Sequence, residues 1–250
     1  MKKLFSAWAM CLACFLSMLV SVGCASPEPG LAAASNDPGA LTADPVQESE
    51  TQEDKEAQDI DPALLSPSKA NKKAPDNFKV EFTTTQGKFV IEVNRDWAPN
   101  GADRFYNMVD IGFFNDVVIF RAVEGFMFQF GVHGNPKVAQ TWQSANIQDD
   151  KFKDHSNLPY TISFAQTGRP NSRSSQMFIN LGNNAFLDTQ TVPFVPFGKV
   201  VEGKGVVDKI NTEYGENDRM DQGMFVRGGN EYILKKYPKL DIIKSAKILD

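Results

Sequence analysis

Cysteine is nearly missing from this sequence, and its placement is informative. Of 250 residues only three are cysteines, and Cys11, Cys14 and Cys24 all fall within the first 24 positions. Everything downstream is therefore barred from disulfide cross-links, thiolate catalysis and cysteine-ligated metal. Histidine is as scarce. His133 and His155 are the only two, too few for a histidine-built zinc site, and no Gly-x-Ser-x-Gly turn offers either of them a nucleophile to activate. Both sit in segments that read as loops, where solvated histidines are expected. An excess of positive charge is absent too: 26 lysines and arginines face 31 acids, a formal net charge of −5. Ten of those acids and only four lysines lie between residues 25 and 75, so the remainder is close to neutral. No basic face is left for nucleic acid to use.

What the first 77 residues do contain is an address and a spacer. Met1-Lys2-Lys3 followed by an apolar run from Leu4 to Val22 reads as an export signal. Its end, Leu19-Val20-Ser21-Val22-Gly23-Cys24, resembles the lipobox of bacterial lipoproteins, although Ser21 stands where that pattern favours leucine. In that reading residues 1–23 are removed and Cys24 is acylated, holding the protein to a membrane through an N-terminal lipid. An uncleaved anchor and ordinary signal cleavage nearby are the alternatives. All three put the protein outside the cytoplasm, in the cell envelope or periplasm. Residues 24–77 are rich in Pro, Ala and acids and have no apolar face. They read as a disordered acidic tether, with a root-mean-square reach of roughly 40 Å for a flexible coil of about 50 residues.

Residues 78–250 are the expected folded domain, long enough to bury a core without staples. Phe78 to Thr83 alternates apolar and polar, Gln86-Gly87 supplies a turn, and Lys88 to Val93 answers as a second strand. Ala102, Phe105, Met108, Val109 and Phe113 recur at helical spacing, with Gly112 as a stop. Short strands are expected over 117–123, 126–132, 160–165, 177–181, 197–201 and 240–249, and a second helix over 205–211. Residues 212–238, with four glycines, read as a long loop carrying a helical turn at 232–237. Many short strands with two helices predict a mainly β fold, a closed antiparallel barrel with helical caps.

Three clusters hold more apolar and polar side chains than barrel strands need: 120–131, 163–180 and 184–200. Phe120-Arg121-x-x-x-Gly125-Phe126-Met127-x-Gln129, then Ser163-x-Ala165, Ser175-Gln176-Met177-Phe178-Ile179, Phe186-Leu187-Asp188 and Phe197-Gly198-Lys199-Val200 follow in that order. Together they resemble the motifs of the cyclophilins, which are peptidyl-prolyl cis–trans isomerases, over essentially all of residues 78–250. The resemblance implies eight antiparallel strands closed into a barrel, two capping helices and a groove on one outer face. It implies Arg121 as the catalytic group. It implies Phe126, Met127, Phe178, Leu187 and Phe194 around the proline ring. Gln129 would bind the substrate backbone, Gln176 would help hold Arg121, and the backbone at Ala165 and Gln166 would pair with an extended peptide. Phe186 stands where the family carries a tryptophan that contacts the inhibitor cyclosporin, and Phe120 where a histidine precedes the arginine.

The chemistry suits those residues. Rotation about an imide bond has to surmount about 18–20 kcal/mol of lost resonance but forms no bond to a nucleophile, so no cofactor and no metal are expected. A fixed donor aimed at the prolyl nitrogen binds the twisted state better than either planar state, and guanidinium is always charged. The expected partners are proline-containing unfolded or extended polypeptides of the envelope, met by a monomer. A proline-motif receptor and a structural barrel with a dead groove are the competing readings. Retention of Arg121, Phe126, Gln129 and Phe178 together speaks against the second.

Overall fold

A computed structural model describes residues 61–151, 154–215 and 220–249. The signal, Cys24 and the tether as far as residue 60 lie outside the described residues. Nine strands form: β1 (Asn77–Thr84), β2 (Gly87–Asn94), β3 (Val117–Val118), β4 (Arg121–Val123), β5 (Met127–Phe130), β6 (Thr161–Phe164), β7 (Met177–Asn180), β8 (Pro196–Glu202) and β9 (Ile242–Leu249). Four helices accompany them: α1 (Pro99–Asp110), α2 (Pro136–Gln143), α3 (Lys204–Val207) and α4 (Gln222–Lys236).

The strands make one antiparallel sheet in the order β3-β9-β1-β2-β8-β6-β7-β5-β4. It curls but does not close, so the expected closed eight-stranded barrel is corrected to an open half-barrel of nine. The run 117–123 explains both differences. Val117 and Val118 pair with Ile243 and Ile242 at one end of the sheet, and the Ile119 N–H donates to the Asp241 carbonyl there at 2.9 Å. Two residues later Arg121–Val123 pair with β5 at the other end. One apolar run thus becomes two strands, each edge taking its own half.

Inside, alternation decides what is buried. Phe78, Val80 and Phe82 of β1 point inward between exposed or half-buried neighbours. Phe82 stacks on Phe89 across the hairpin at 5.2 Å between ring centroids, and Phe105 of α1 meets Phe197 of β8 at 5.1 Å. The α1 helix starts at Pro99, whose missing N–H is no loss at that position. The Asp150 carboxylate accepts the next two backbone N–H groups, from Asn100 and Gly101, at 2.8 and 2.9 Å.

Three other expectations are revised. Residues 61–76 are not tether: Ala63, Leu64 and Ala74 are buried, the Trp142 indole donates to the Leu64 carbonyl at 2.8 Å, and Asn107 and Asp103 of α1 accept from the Lys72 and Ala74 N–H groups. The boundary at 77 followed strand alternation and overlooked an arm that packs without forming a strand. Much of 212–238 is helix, with Asp221 capping the start of α4 through the Met224 N–H and a kink at Gly229, where φ is +58°. Its apolar face covers a second cluster, Val118, Phe120, Val132, Ala139, Phe225, Val226 and Ile233, and α4 lies against α2. Neither histidine is simply solvated. His133 packs edge-on to Phe113 at 5.3 Å and His155 stacks on Trp97 at 4.0 Å. No helix among the described residues is long and apolar enough to cross a membrane.

Candidate functional site: a groove beside the β4–β5–β7 edge

The period-two geometry of strands sorts the residues of one short sheet segment into two sets. On β5, Phe128 and Phe130 turn into the core, so Met127 and Gln129 face outward. On β7, Met177 and Ile179 turn inward and Phe178 outward. Cross-strand register then aligns the outward set: Arg121 opposite Gln129, Gln129 opposite Phe178, and Phe178 opposite Ser163. Gly131 has φ +103°, and a Cβ there would sit 2.3 Å from the Ser175 carbonyl oxygen, so only glycine lets β5 leave beside β7.

The outward face opens into a cavity of about 160 Å³ lined by Arg121, Phe126, Met127, Gln129, Ala165, Gln166, Phe178, Leu187 and Phe194. Met127, Phe178 and Leu187 are its apolar floor, with Phe126, Ala165 and Phe194 packed around them. A polar chain runs along one wall. The Gln129 amide donates to Gln176 Oε1 at 2.8 Å, and its own Oε1 lies 3.4 Å from Arg121 Nη1. The guanidinium carbon of Arg121 stands 5.8 Å from the Phe126 ring centre. A charged donor is thereby held over an apolar slot, with its long side chain braced from two directions. The Gln166 amide donates to the Val192 carbonyl at 2.5 Å, while its Oε1 is buried without a hydrogen-bond partner.

Nine of the eleven residues singled out in the sequence are thus brought together. Gln176 does not line the cavity but accepts from Gln129, which borders it. Phe186 is not in the cavity wall. It is 41% exposed and stacks on Phe126 at 6.0 Å. A buried polar network under the site had no signal in the sequence. Asn157 Nδ2 donates to Asp188 and to the Phe194 carbonyl, both at 2.7 Å, and its Oδ1 accepts from Ser163 at 2.8 Å and Asn180 at 3.2 Å. Asn184 Nδ2 donates at 2.7 Å both to Asn180 and to the Phe126 carbonyl. Residues outside the cavity wall therefore fix the segments carrying Phe126, Leu187 and Phe194. Among the described residues no three His, Cys, Asp or Glu side chains gather into a metal site.

The model of the cyclophilin type peptidyl-prolyl cis–trans isomerases matches residues 79–227, well over half the chain. The chain belongs to the cyclophilin family. Among curated cyclophilin relatives, the peptidyl-prolyl cis–trans isomerase cyp18 of Streptomyces antibioticus is 35% identical over 136 residues, 52% of this chain and 81% of that protein. Isomerase B of Escherichia coli K12 is 33% identical over 136 residues, 52% of this chain and 82% of its own. A crystal structure of a Cryptosporidium parvum cyclophilin-type isomerase superimposes with a TM-score of 0.52 at 17% identity, covering 70% of this chain and 98% of its own, which speaks to fold alone. The protein is accordingly a peptidyl-prolyl cis–trans isomerase of the cyclophilin type.

Proposed function

We propose that this isomerase works outside the cytoplasm, accelerating rotation of X-Pro bonds in exported or envelope polypeptides and so assisting their folding, with Arg121 as its catalytic group. The observation that carries the assignment is the cavity of about 160 Å³ in which Arg121 and Gln129 border the apolar floor of Met127, Phe178 and Leu187. A prolyl ring seated on that floor is anchored by apolar contact while the preceding carbonyl swings. As the bond twists, the prolyl nitrogen regains its lone pair, and the Arg121 guanidinium donates to it. That hydrogen bond exists only in the twisted state, so it lowers the barrier rather than deepening the ground state. Gln129 and the backbone at Ala165 and Gln166 hold the flanking peptide, and Gln176 braces Gln129. A relative, the Cryptosporidium parvum cyclophilin, has been crystallised in the presence of the dipeptide Ala-Pro, in keeping with a prolyl peptide as the occupant here.

The location rests on the sequence from Met1 to Cys24. Unaided X-Pro isomerisation takes tens to hundreds of seconds, slow enough to limit folding of chains arriving in the envelope. A lipid at Cys24 and the acidic stretch after it would keep a monomeric enzyme close to where they emerge. The test is isomerisation of a Xaa-Pro peptide, followed by exchange NMR, with the intact protein and its Arg121→Ala variant. The variant is expected to lose roughly 10²–10³-fold in kcat/KM, the loss typical of one transition-state donor. An equal rate in both proteins overturns the role of Arg121. A mature N-terminus whose mass lacks an acylated Cys24 overturns the lipid anchor.

A further inference from the structure

A second pocket, of about 310 Å³, lies between the arm at residues 70–73, the first half of α1 and residues 147–148. It shares no lining residue with the peptide groove. Its charges are Lys72, Lys73, Asp103 and Arg104, and two of them are already neutralised. Both Asp103 oxygens receive Arg95, at 2.7 and 2.8 Å, and one also accepts the Ala74 N–H at 2.9 Å. Lys72 is paired with Asp110 at 2.6 Å.

Lys73 and Arg104 are left. Neither has a carboxylate within ion-pair distance among the described residues. The Arg104 guanidinium lies 5.1 Å from the centre of the Trp142 ring, and its Nη1 is buried with no hydrogen-bond partner. Burial pushes its pKa down to about 10, which still leaves it charged at neutral pH. A half-buried guanidinium with one nitrogen cut off from water and no counter-ion is costly. An anion entering the adjoining pocket meets a cation whose desolvation folding has already imposed, so the attraction is offset only by the anion's own dehydration.

We propose that this pocket is an oxyanion-binding site that takes a phosphate group between Arg104 and Lys73. Two cations without a salt-bridge partner, Lys73 feeling Asp103 only at longer range, match the two charges of a phosphate better than the single charge of a carboxylate, and guanidinium offers parallel donors to phosphate oxygens. The group can come as free phosphate or on a lipid headgroup. Trp142 provides a reporter: its ring underlies Arg104, and its Nε1–H is fixed on the Leu64 carbonyl.

The test is titration of the full chain with inorganic phosphate at constant ionic strength, following the Trp142 Nε1–H and Arg104 Nε–H resonances. Saturable shifts are expected, absent with chloride and weakened at least tenfold in Arg104→Gln and in Lys73→Gln. Lys73 is exposed, so its variant keeps the fold even if loss of the Arg104–Trp142 contact does not. Sedimentation with phosphatidylglycerol against phosphatidylcholine vesicles separates the sources. A preference for the former that Lys73→Gln removes marks a headgroup, and a phosphate response without that preference marks the free ion. The same titration is repeated on a full chain carrying E48Q, E50Q, E53Q, D54N, E56Q and D59N, which lowers the acidic charge of the N-terminal stretch. Non-saturating shifts in both chains, or shifts unchanged by both pocket variants, overturn the proposal.

Discussion

Arg121 is useful only because other side chains hold it. Its outer nitrogen faces Gln129, and Gln129 is in turn fixed by its 2.8 Å bond to Gln176. Gln176→Ala removes that second support without touching the pocket floor. A hydrogen bond of this kind is worth about 1 kcal/mol, so kcat/KM in the prolyl-peptide assay should fall about fivefold. Gln176→Glu, which retains the acceptor, should recover most of it. His133 carries a different prediction. Burial depresses its pKa from 6.5 to about 4, so the native state keeps the ring neutral while an unfolded chain protonates it near 6.5. Between those values the unfolded state binds more protons, and stability must fall as pH drops through that window. Urea midpoints at pH 7 and pH 4.5 should differ accordingly, and His133→Gln should reduce the difference.

β1 was legible because burial on one face imposes a period of two, whereas β5 and β7 are buried along their whole length and were marked as short apolar runs bounded by turn residues. The groove residues were legible through their ordered motifs, which resemble those of the cyclophilins, and strand parity accounts in the structure for Gln129 and Phe128 facing opposite sides. Helices were harder. The start of α2 had a signal, Asn135-Pro136, and the structure shows Asn135 accepting from the Lys137 N–H at 2.9 Å. It is only eight residues long, too short for periodicity to mark. The glycines of 222–236 concealed α4, which stands because Phe225 packs on Phe120 at 5.9 Å. Phe120 thus belongs to a second core, behind the strand that presents Arg121. The β4–β5 turn and the loop after β7 depend on a polar network instead. Asn157→Ala should leave the buried Ser163 hydroxyl and the Phe194 carbonyl without their partner, costing about 3 kcal/mol in chemical denaturation, and should lower isomerase activity by loosening Phe194.

Residues 61–76 join the fold as a packed arm rather than as a leash. A chain starting at residue 77 loses the burial of Leu64, its carbonyl's bond to Trp142, and the amide contacts of Lys72 and Ala74 with α1. It should unfold with about 3 kcal/mol less stability than one starting at residue 61, read from urea denaturation. The amino-acid order by itself carried the motifs whose resemblance to the cyclophilins pointed to the nine residues lining the groove, because such motifs are local properties of the chain. Only the tertiary structure decided that the sheet stays open, that the arm docks and that α4 forms. Each of those depends on a contact between distant positions, such as Leu64 with Trp142, 78 residues apart. No local pattern encodes the burial that such a meeting provides.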